Sequence, residues 1–211
     1  MDKYVFLDFN GTVLDDLDLC LNLLNEMLIM KGCKSVSLEE YKEIFGFPII
    51  NYYVKAGFDF SKYSFSELAD YFIIEYGKRN YHETSIFDDV KDFIIAVREK
   101  GYKIVLCSAS QLTLLKEQLV YFNISDLFDD VIGLNDHHAN SKLFLAKEYV
   151  KNHPVDLENS YFIGDTTHDV EVGLECGLKP LLINRGHQSN NVLSKTNVVI
   201  LPNFNKVIKL L

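Results

Sequence analysis

From residue 90 to residue 201 the chain alternates short, almost wholly apolar runs with longer stretches in which apolar residues return every three or four positions. Val90, Phe93, Ile94 and Val97 mark one face of a helix, Gly101 suits its C-terminal cap, and "YKIVLC" follows as a buried strand. The rhythm repeats with a helix over 111–122, the strand "DVIGL" at 130–134 and a helix over 142–152. Then come "YFIG" at 161–164, a helix after His168 that ends before Gly177, and the runs "PLLIN" and "NVVIL". Strands that are apolar throughout need cover on both faces, and helical crossovers between them supply it, so the chain is expected to form a doubly wound parallel α/β sheet. One further apolar run, "KYVFL" at 3–7, ends at Asp8 and is broken by Gly11. In such a sheet a ligand site forms outside the carboxyl ends of the strands.

Residues 15–82 read differently. Leu17, Leu21, Leu24 and Leu28 recur at helical spacing before Gly32, and Ser37 with Glu40 forms a capping box for a second helix. Ser64 with Glu67 repeats that signal ahead of Leu68, Tyr71, Phe72 and Glu75. The expectation is an all-helical unit at 15–82 inserted into an α/β core made of residues 1–14 and 83–211. Its aromatics, among them Phe45, Phe47, Tyr52, Tyr53, Tyr71 and Phe72, fit a packed interior better than a ligand box.

Polar residues stand at the ends of the apolar runs. Asp8 closes the first, Ser108 follows "KIVLC", Asp165 follows "YFIG", and Lys142 opens the helix between "DVIGL" and "YFIG". Parallel pairing would bring all four to one edge. Carboxylates able to hold a divalent cation, joined by a hydroxyl, an ammonium and strand-to-helix amides, are what phosphoryl transfer needs to neutralise charge. A net charge of -9 and a pI near 5.1 give no general attraction for nucleic acid or anionic lipid, so an anionic ligand must be drawn in locally. No run of 18 apolar residues and no basic, then apolar, leader occurs, which points to a cytoplasmic protein without a membrane partner. Cys20, Cys33, Cys107 and Cys176 lie far apart with no C-x-x-C pair and are expected to be buried thiols, and His137-His138 is expected to be an exposed loop.

In order along the chain, "DFNGTVLDD", "VLCSAS", "SKLFLAKEY" and "IGDTTHDV" resemble the four motifs of the haloacid dehalogenase superfamily, particularly its phosphoglycolate phosphatase-like members with a helical cap. The resemblance implies a hydrolase of a small phosphorylated metabolite, monomeric or homodimeric. Asp8 would be the nucleophile that forms an aspartyl-phosphate. It further implies Mg²⁺ held by Asp8, the main-chain carbonyl of Asn10, Asp165 and Asp169. Ser108, Lys142 and the amides of Phe9, Asn10 and Ala109 would hold the phosphoryl group, and Arg185-Gly186-His187, the loop after "PLLIN", would face the substrate.

Asn10 departs from the pattern. The family's phosphatases carry there an aspartate that protonates the leaving group and later activates water; an amide does neither. Three explanations are compatible with the sequence. The protein works with Asn10, through good leaving groups or an acid from the cap; the residue is a substitution that traps a complex; or Asn10-Gly11 deamidates. Two other activities also stay open. A phosphate-binding regulatory protein would keep the site without turnover, and dehalogenase or phosphonatase chemistry would dispense with the acid. The second would draw a Schiff-base lysine from Lys31, Lys34, Lys42, Lys55 or Lys62.

Overall fold

A computed structural model describes residues 1–134 and 141–211, so His137 and His138 lie outside the described residues. The chain opens with strand β1 (Lys3–Leu7) and the short β2 (Leu14–Asp15). Four helices follow: α1 (Leu17–Met30), α2 (Leu38–Ile44), α3 (Ile49–Ala56) and α4 (Phe65–Glu83). After β3 (Ser85–Ile86) come α5 (Val90–Glu99), β4 (Tyr102–Gln111), α6 (Leu112–Tyr121), β5 (Asp130–Leu134) and α7 (Lys142–Asn152). The chain then runs through β6 (Tyr161–Gly164), α8 (Thr167–Glu175), β7 (Lys179–Ile183), α9 (Asn190–Leu193), β8 (Ile200–Leu201) and α10 (Phe204–Val207).

Six strands pair in the order β5-β4-β1-β6-β7-β8, every pairing parallel. The doubly wound sheet expected from the alternation is therefore present. Successive side chains of β1 point to opposite faces, as the strand period of two requires. Val5 and Leu7 join Ile104, Leu106, Ile163 and Ile183 in one buried layer under α5, α6 and α10. Tyr4 and Phe6 join Val105, Cys107 and Phe162 in the other, under α7 and α8. β1 sits at the centre with β4 on one side and β6 on the other, the point where successive crossovers turn in opposite directions and a crevice opens.

The helical insertion has its own interior. Leu19, Leu23, Leu24, Met27 and Leu28 of α1 pack with Tyr41, Tyr52, Tyr53, Leu68 and Tyr76. Phe45, Tyr71 and Phe72 pack against this cluster, whereas Phe47 remains 46% exposed. The Ser37–Glu40 capping box forms with both of its hydrogen bonds; at Ser64 the side chain accepts from the Glu67 N–H. The chain enters and leaves this unit through an antiparallel two-strand ribbon, β2 with β3, pairing Leu14 with Ile86 and Asp15 with Ser85.

Some boundaries shift. "NVVIL" contributes only Ile200 and Leu201 to the sheet, and α8 starts at Thr167, ahead of His168. β4 runs past Cys107 to Gln111 through an irregularity in its pairing with β5. All four cysteines are free; Cys20, Cys107 and Cys176 are buried, but Cys33 is partly exposed.

Candidate active site

β1 delivers Asp8 at its carboxyl end, where the Asp8 N–H donates to the Ile163 carbonyl of β6 at 2.9 Å. The chain then turns sharply: the N–H groups of Thr12, Val13 and Leu14 all donate to the Phe9 carbonyl, at 3.2, 2.8 and 2.8 Å. Gly11 makes this turn with φ +76°, and a Cβ there would run into the Asp165 carboxyl and the His187 ring. Phe9 buries its ring in the sheet core.

β6 delivers Asp165, and the first turn of α8 carries Asp169 four residues on. Asp169 Oδ2 accepts from the Thr166 N–H at 2.9 Å and from Thr166 Oγ1 at 2.7 Å, which fixes its rotamer. Gly164 has no side chain to interfere; any Cβ there would overlap that carboxyl. Asp165 Oδ1 accepts from Thr12 Oγ1 at 3.1 Å, and its Oδ2 accepts from the His187 N–H at 2.7 Å. Lys142, at the start of α7 and 4% exposed, reaches across to pair with Asp8 and, at 2.6 Å, with Asp169.

Asp8, Asp165 and Asp169 each present an oxygen within 4.8 Å of the other two. Burial drives the Asp8 carboxyl up to about 8, helped by the charges of Asp169 and Asp165 and opposed by Lys142. Burial likewise lifts Asp165 to about 6 against the pull of His187. Burial would also raise Asp169, but the Lys142 ammonium and the Thr166 hydrogen bonds outweigh it and hold its carboxyl low. Three buried carboxylates facing one ammonium leave excess negative charge in a dry place, and an all-oxygen donor set suits a hard divalent cation. No backbone N–H donates to the Asn10 carbonyl among the described residues, so that oxygen remains available to the same cation.

The remaining expected residues divide. Ser108 is buried on β4 beside β1, and its Oγ accepts from the Ser110 N–H at 3.0 Å. Ala109 is exposed at the same strand end. Arg185 stands apart from the carboxylates: its guanidinium pairs with Asp89 at 2.7 Å, donates to the Thr12 carbonyl at 2.9 Å and lies 3.7 Å over the Phe87 ring. It braces the turn from behind.

Asn10 is locked in place. Its Nδ2 donates to Asp16 Oδ2 and to Tyr76 Oη, both at 2.8 Å, and its Oδ1 accepts from Ser110 Oγ at 3.1 Å. Asp16 is the hub of this network. Its Oδ2 also accepts from Tyr76 Oη at 2.9 Å, and its Oδ1 accepts from the Gly11 N–H at 3.1 Å and faces His187 Nε2 at 3.0 Å. His187 Nδ1 stands 2.9 Å from Tyr41 Oη. Burial opposes charge on His187, but the Asp16 carboxylate prevails and lifts the imidazole to about 9. Asp16, Thr12, Tyr41 and Tyr76 are site residues that sequence reasoning missed. A groove of about 660 Å³ between Tyr81 and the α6 residues Leu112 to Tyr121 includes none of the residues above.

The family model for haloacid dehalogenase-like hydrolases matches residues 5–183. A candidate pyrophosphatase, PpaX of Caldanaerobacter subterraneus subsp. tengcongensis, is 22% identical over 185 residues, covering 85% of this chain and 80% of its own. Among solved structures, a haloacid dehalogenase-like family hydrolase from Streptococcus pneumoniae superimposes with a TM-score of 0.84 at 18% identity, covering 99% of this chain and 97% of its own. A candidate phosphoglycolate phosphatase from Lactobacillus delbrueckii subsp. bulgaricus gives 0.80 at 19% identity, covering 99% and 98%.

Proposed function

The chain belongs to the haloacid dehalogenase-like hydrolases, and from that membership we propose that it is a magnesium-dependent phosphatase of a small phosphorylated metabolite, slowed by Asn10. The observation that carries the proposal is the convergence of Asp8, Asp165 and Asp169 on one buried point with Lys142 paired to two of them. The names of the relatives, a candidate pyrophosphatase and a candidate phosphoglycolate phosphatase, support phosphate ester or anhydride substrates. The working division is a cap at 15–82 on a core of 1–14 and 83–211, in a cytoplasmic protein that is monomeric or homodimeric.

In this reading Asp8 attacks phosphorus through a carboxylate oxygen, the bond to the leaving oxygen breaks in line to give an aspartyl-phosphate, and the departing alkoxide takes its proton from water. Asp8, the Asn10 carbonyl, Asp165 and Asp169 would hold Mg²⁺, which would supply positive charge that keeps Asp8 ionised and screens the phosphoryl oxygens. Lys142, the Ser108 hydroxyl and the amides of Phe9, Asn10 and Ala109 orient the phosphoryl group for that attack. Asn10 contributes no proton: both of its N–H donors and its oxygen are already engaged. The leaving group therefore departs unassisted and the aspartyl-phosphate hydrolyses slowly.

The experiment is phosphate release from a panel of small phosphomonoesters and pyrophosphate with magnesium, on the protein, Asn10→Asp and Asp8→Asn. Asn10→Asp is expected to turn over about 10²–10⁴ times faster, the usual contribution of general acid-base help. A carboxyl introduced 2.8 Å from Asp16 would share a proton with it, which suits an acid. Equal rates for the protein and Asn10→Asp would place the acid elsewhere. Release from neither, or from Asp8→Asn as fast as from the parent, would overturn the phosphatase reading.

A further inference from the structure

Beside the carboxylate cluster lies a second group of donors that phosphoryl transfer does not use. Asp16 is the residue before α1, Cys20 lies one turn later on the same face of that helix, and His187 comes from the loop after β7. All three are buried, at 1%, 8% and 3% exposure, and each offers a ligand atom within 4.8 Å of the other two. Cys20 Sγ is 3.5 Å from Asp16 Oδ2, and His187 Nε2 is 3.0 Å from Asp16 Oδ1. Donors bound tetrahedrally at about 2.0–2.3 Å to one ion stand about 3.3–3.8 Å apart. These two distances run to different oxygens of Asp16, so an ion would take both oxygens or the carboxylate would turn, while the three residues, with ligand atoms within 4.8 Å of one another, draw together around it.

The surroundings also suit an ion. A metal-bound histidine needs its other nitrogen engaged so that ring and tautomer are fixed, and Tyr41 Oη holds Nδ1 from behind at 2.9 Å. Tyr76 and Asn10 do the same for Asp16 Oδ2. Metal ligands bind deprotonated, so an ion entering between the donors takes the Cys20 sulfur as thiolate and releases its proton to solvent.

We propose that Asp16, Cys20 and His187 form a binding site for a zinc-class transition metal, separate from the magnesium carboxylates. Nitrogen, thiolate and carboxylate together select zinc or cobalt over magnesium, which avoids sulfur. Asp16 and Cys20 belong to the start of the cap and His187 to the core, so an ion held by all three staples α1 to the loop after β7. The site does not depend on the phosphatase reading, since none of the three is a proposed magnesium ligand or nucleophile.

The test is titration with cobalt(II) in magnesium-free buffer, followed by the near-ultraviolet thiolate-to-cobalt absorption and the visible ligand-field bands. The expected result is saturation at one equivalent with a single thiolate, loss of the thiolate band in Cys20→Ser, and its retention in Cys33→Ser and Asp8→Asn. Tyr41→Phe, which removes only the support behind His187, should weaken affinity about 10–100-fold. Circular dichroism establishes that each variant is folded; if Cys20→Ser is not, His187→Gln must lose the ligand-field bands in its place. The proposal fails if no thiolate band forms at stoichiometric cobalt, if the band survives Cys20→Ser, or if Asp8→Asn abolishes it.

Discussion

At the scale of single residues, the part of the site that could be read from sequence is the part that strand ends dictate. Asp8, Ser108 and Asp165 follow apolar runs and Lys142 opens a helix, so parallel pairing alone carries them to one edge. Of the network of Asp16, Tyr76, Tyr41 and His187, only His187 stood at a strand end, on the loop after "PLLIN"; the others gave no such signal, because the network's bonds join residues 60, 146 and 171 positions apart on separate elements. That network makes stability depend on pH. The folded His187 imidazole titrates near 9 against an ordinary 6.5, so its contribution is fully present below pH 6.5 and is lost as pH rises through 9. The full effect is about 3 kcal/mol. Asp8 acts in the same direction in an earlier window: its carboxyl is lifted from 3.8 to about 8, so stability falls as pH rises between those values. Thermal melts in chelator should show the midpoint falling from pH 6.5 to 9, with that segment flattened in His187→Gln and the earlier one in Asp8→Asn. An unchanged profile in His187→Gln would mean that the imidazole is not charged in the folded protein.

At the scale of elements, strands bounded by turn chemistry were legible to the residue: "KYVFL", "DVIGL" and "YFIG" match β1, β5 and β6. What was not legible depends on neighbours. β2 and β3 have two residues each, too few to show any period, and exist because each pairs with the other. The extension of β4 past Cys107 follows from its irregular pairing with β5, and it is this extension that sets Ser110 against Asn10. Helix α1 shows the opposite case, a long element whose heptad-like leucines announced it. Leu23 on that helix is fully buried in the cap cluster. Leu23→Ala should cost about 2–5 kcal/mol, through lost burial and the cavity left behind. Denaturant unfolding followed by tyrosine fluorescence measures it, since the cluster around Leu23 is rich in tyrosines. A cost under about 1 kcal/mol would mean that the cap interior collapses around the missing side chain.

At the scale of the molecule, the loop after β7 makes a dense set of contacts with helix α2 and the residues that follow it. The Ser189 N–H donates to the Lys42 carbonyl at 3.0 Å, and Gln188 Nε2 donates to the Phe45 carbonyl at 2.9 Å. Ser189 Oγ and Asn191 Nδ2 both donate to the Glu43 carboxylate, at 2.6 and 2.9 Å. These contacts lie beside the site and hold α2 over it. Glu43→Ala removes two of them without touching a carboxylate of the site. It should speed amide exchange in α2 several-fold while leaving that of β6 unchanged. Equal exchange in α2 would show that the backbone bonds alone hold it over the site.

The central place of β1 has a consequence for how the chain is made. Its partners lie far downstream: Lys3 pairs with Tyr102, and Val5 with Tyr161. At ordinary elongation rates roughly 5–20 s separate the emergence of β1 from that of β4. For that interval the run "KYVFL" leaves the ribosome with both edges open, while the helices of the cap, whose contacts are local, can already fold beside it. The segment that carries the candidate nucleophile is thus the one that waits longest for its neighbours. Nascent-chain association with chaperones should accordingly concentrate on chains arrested before residue 102.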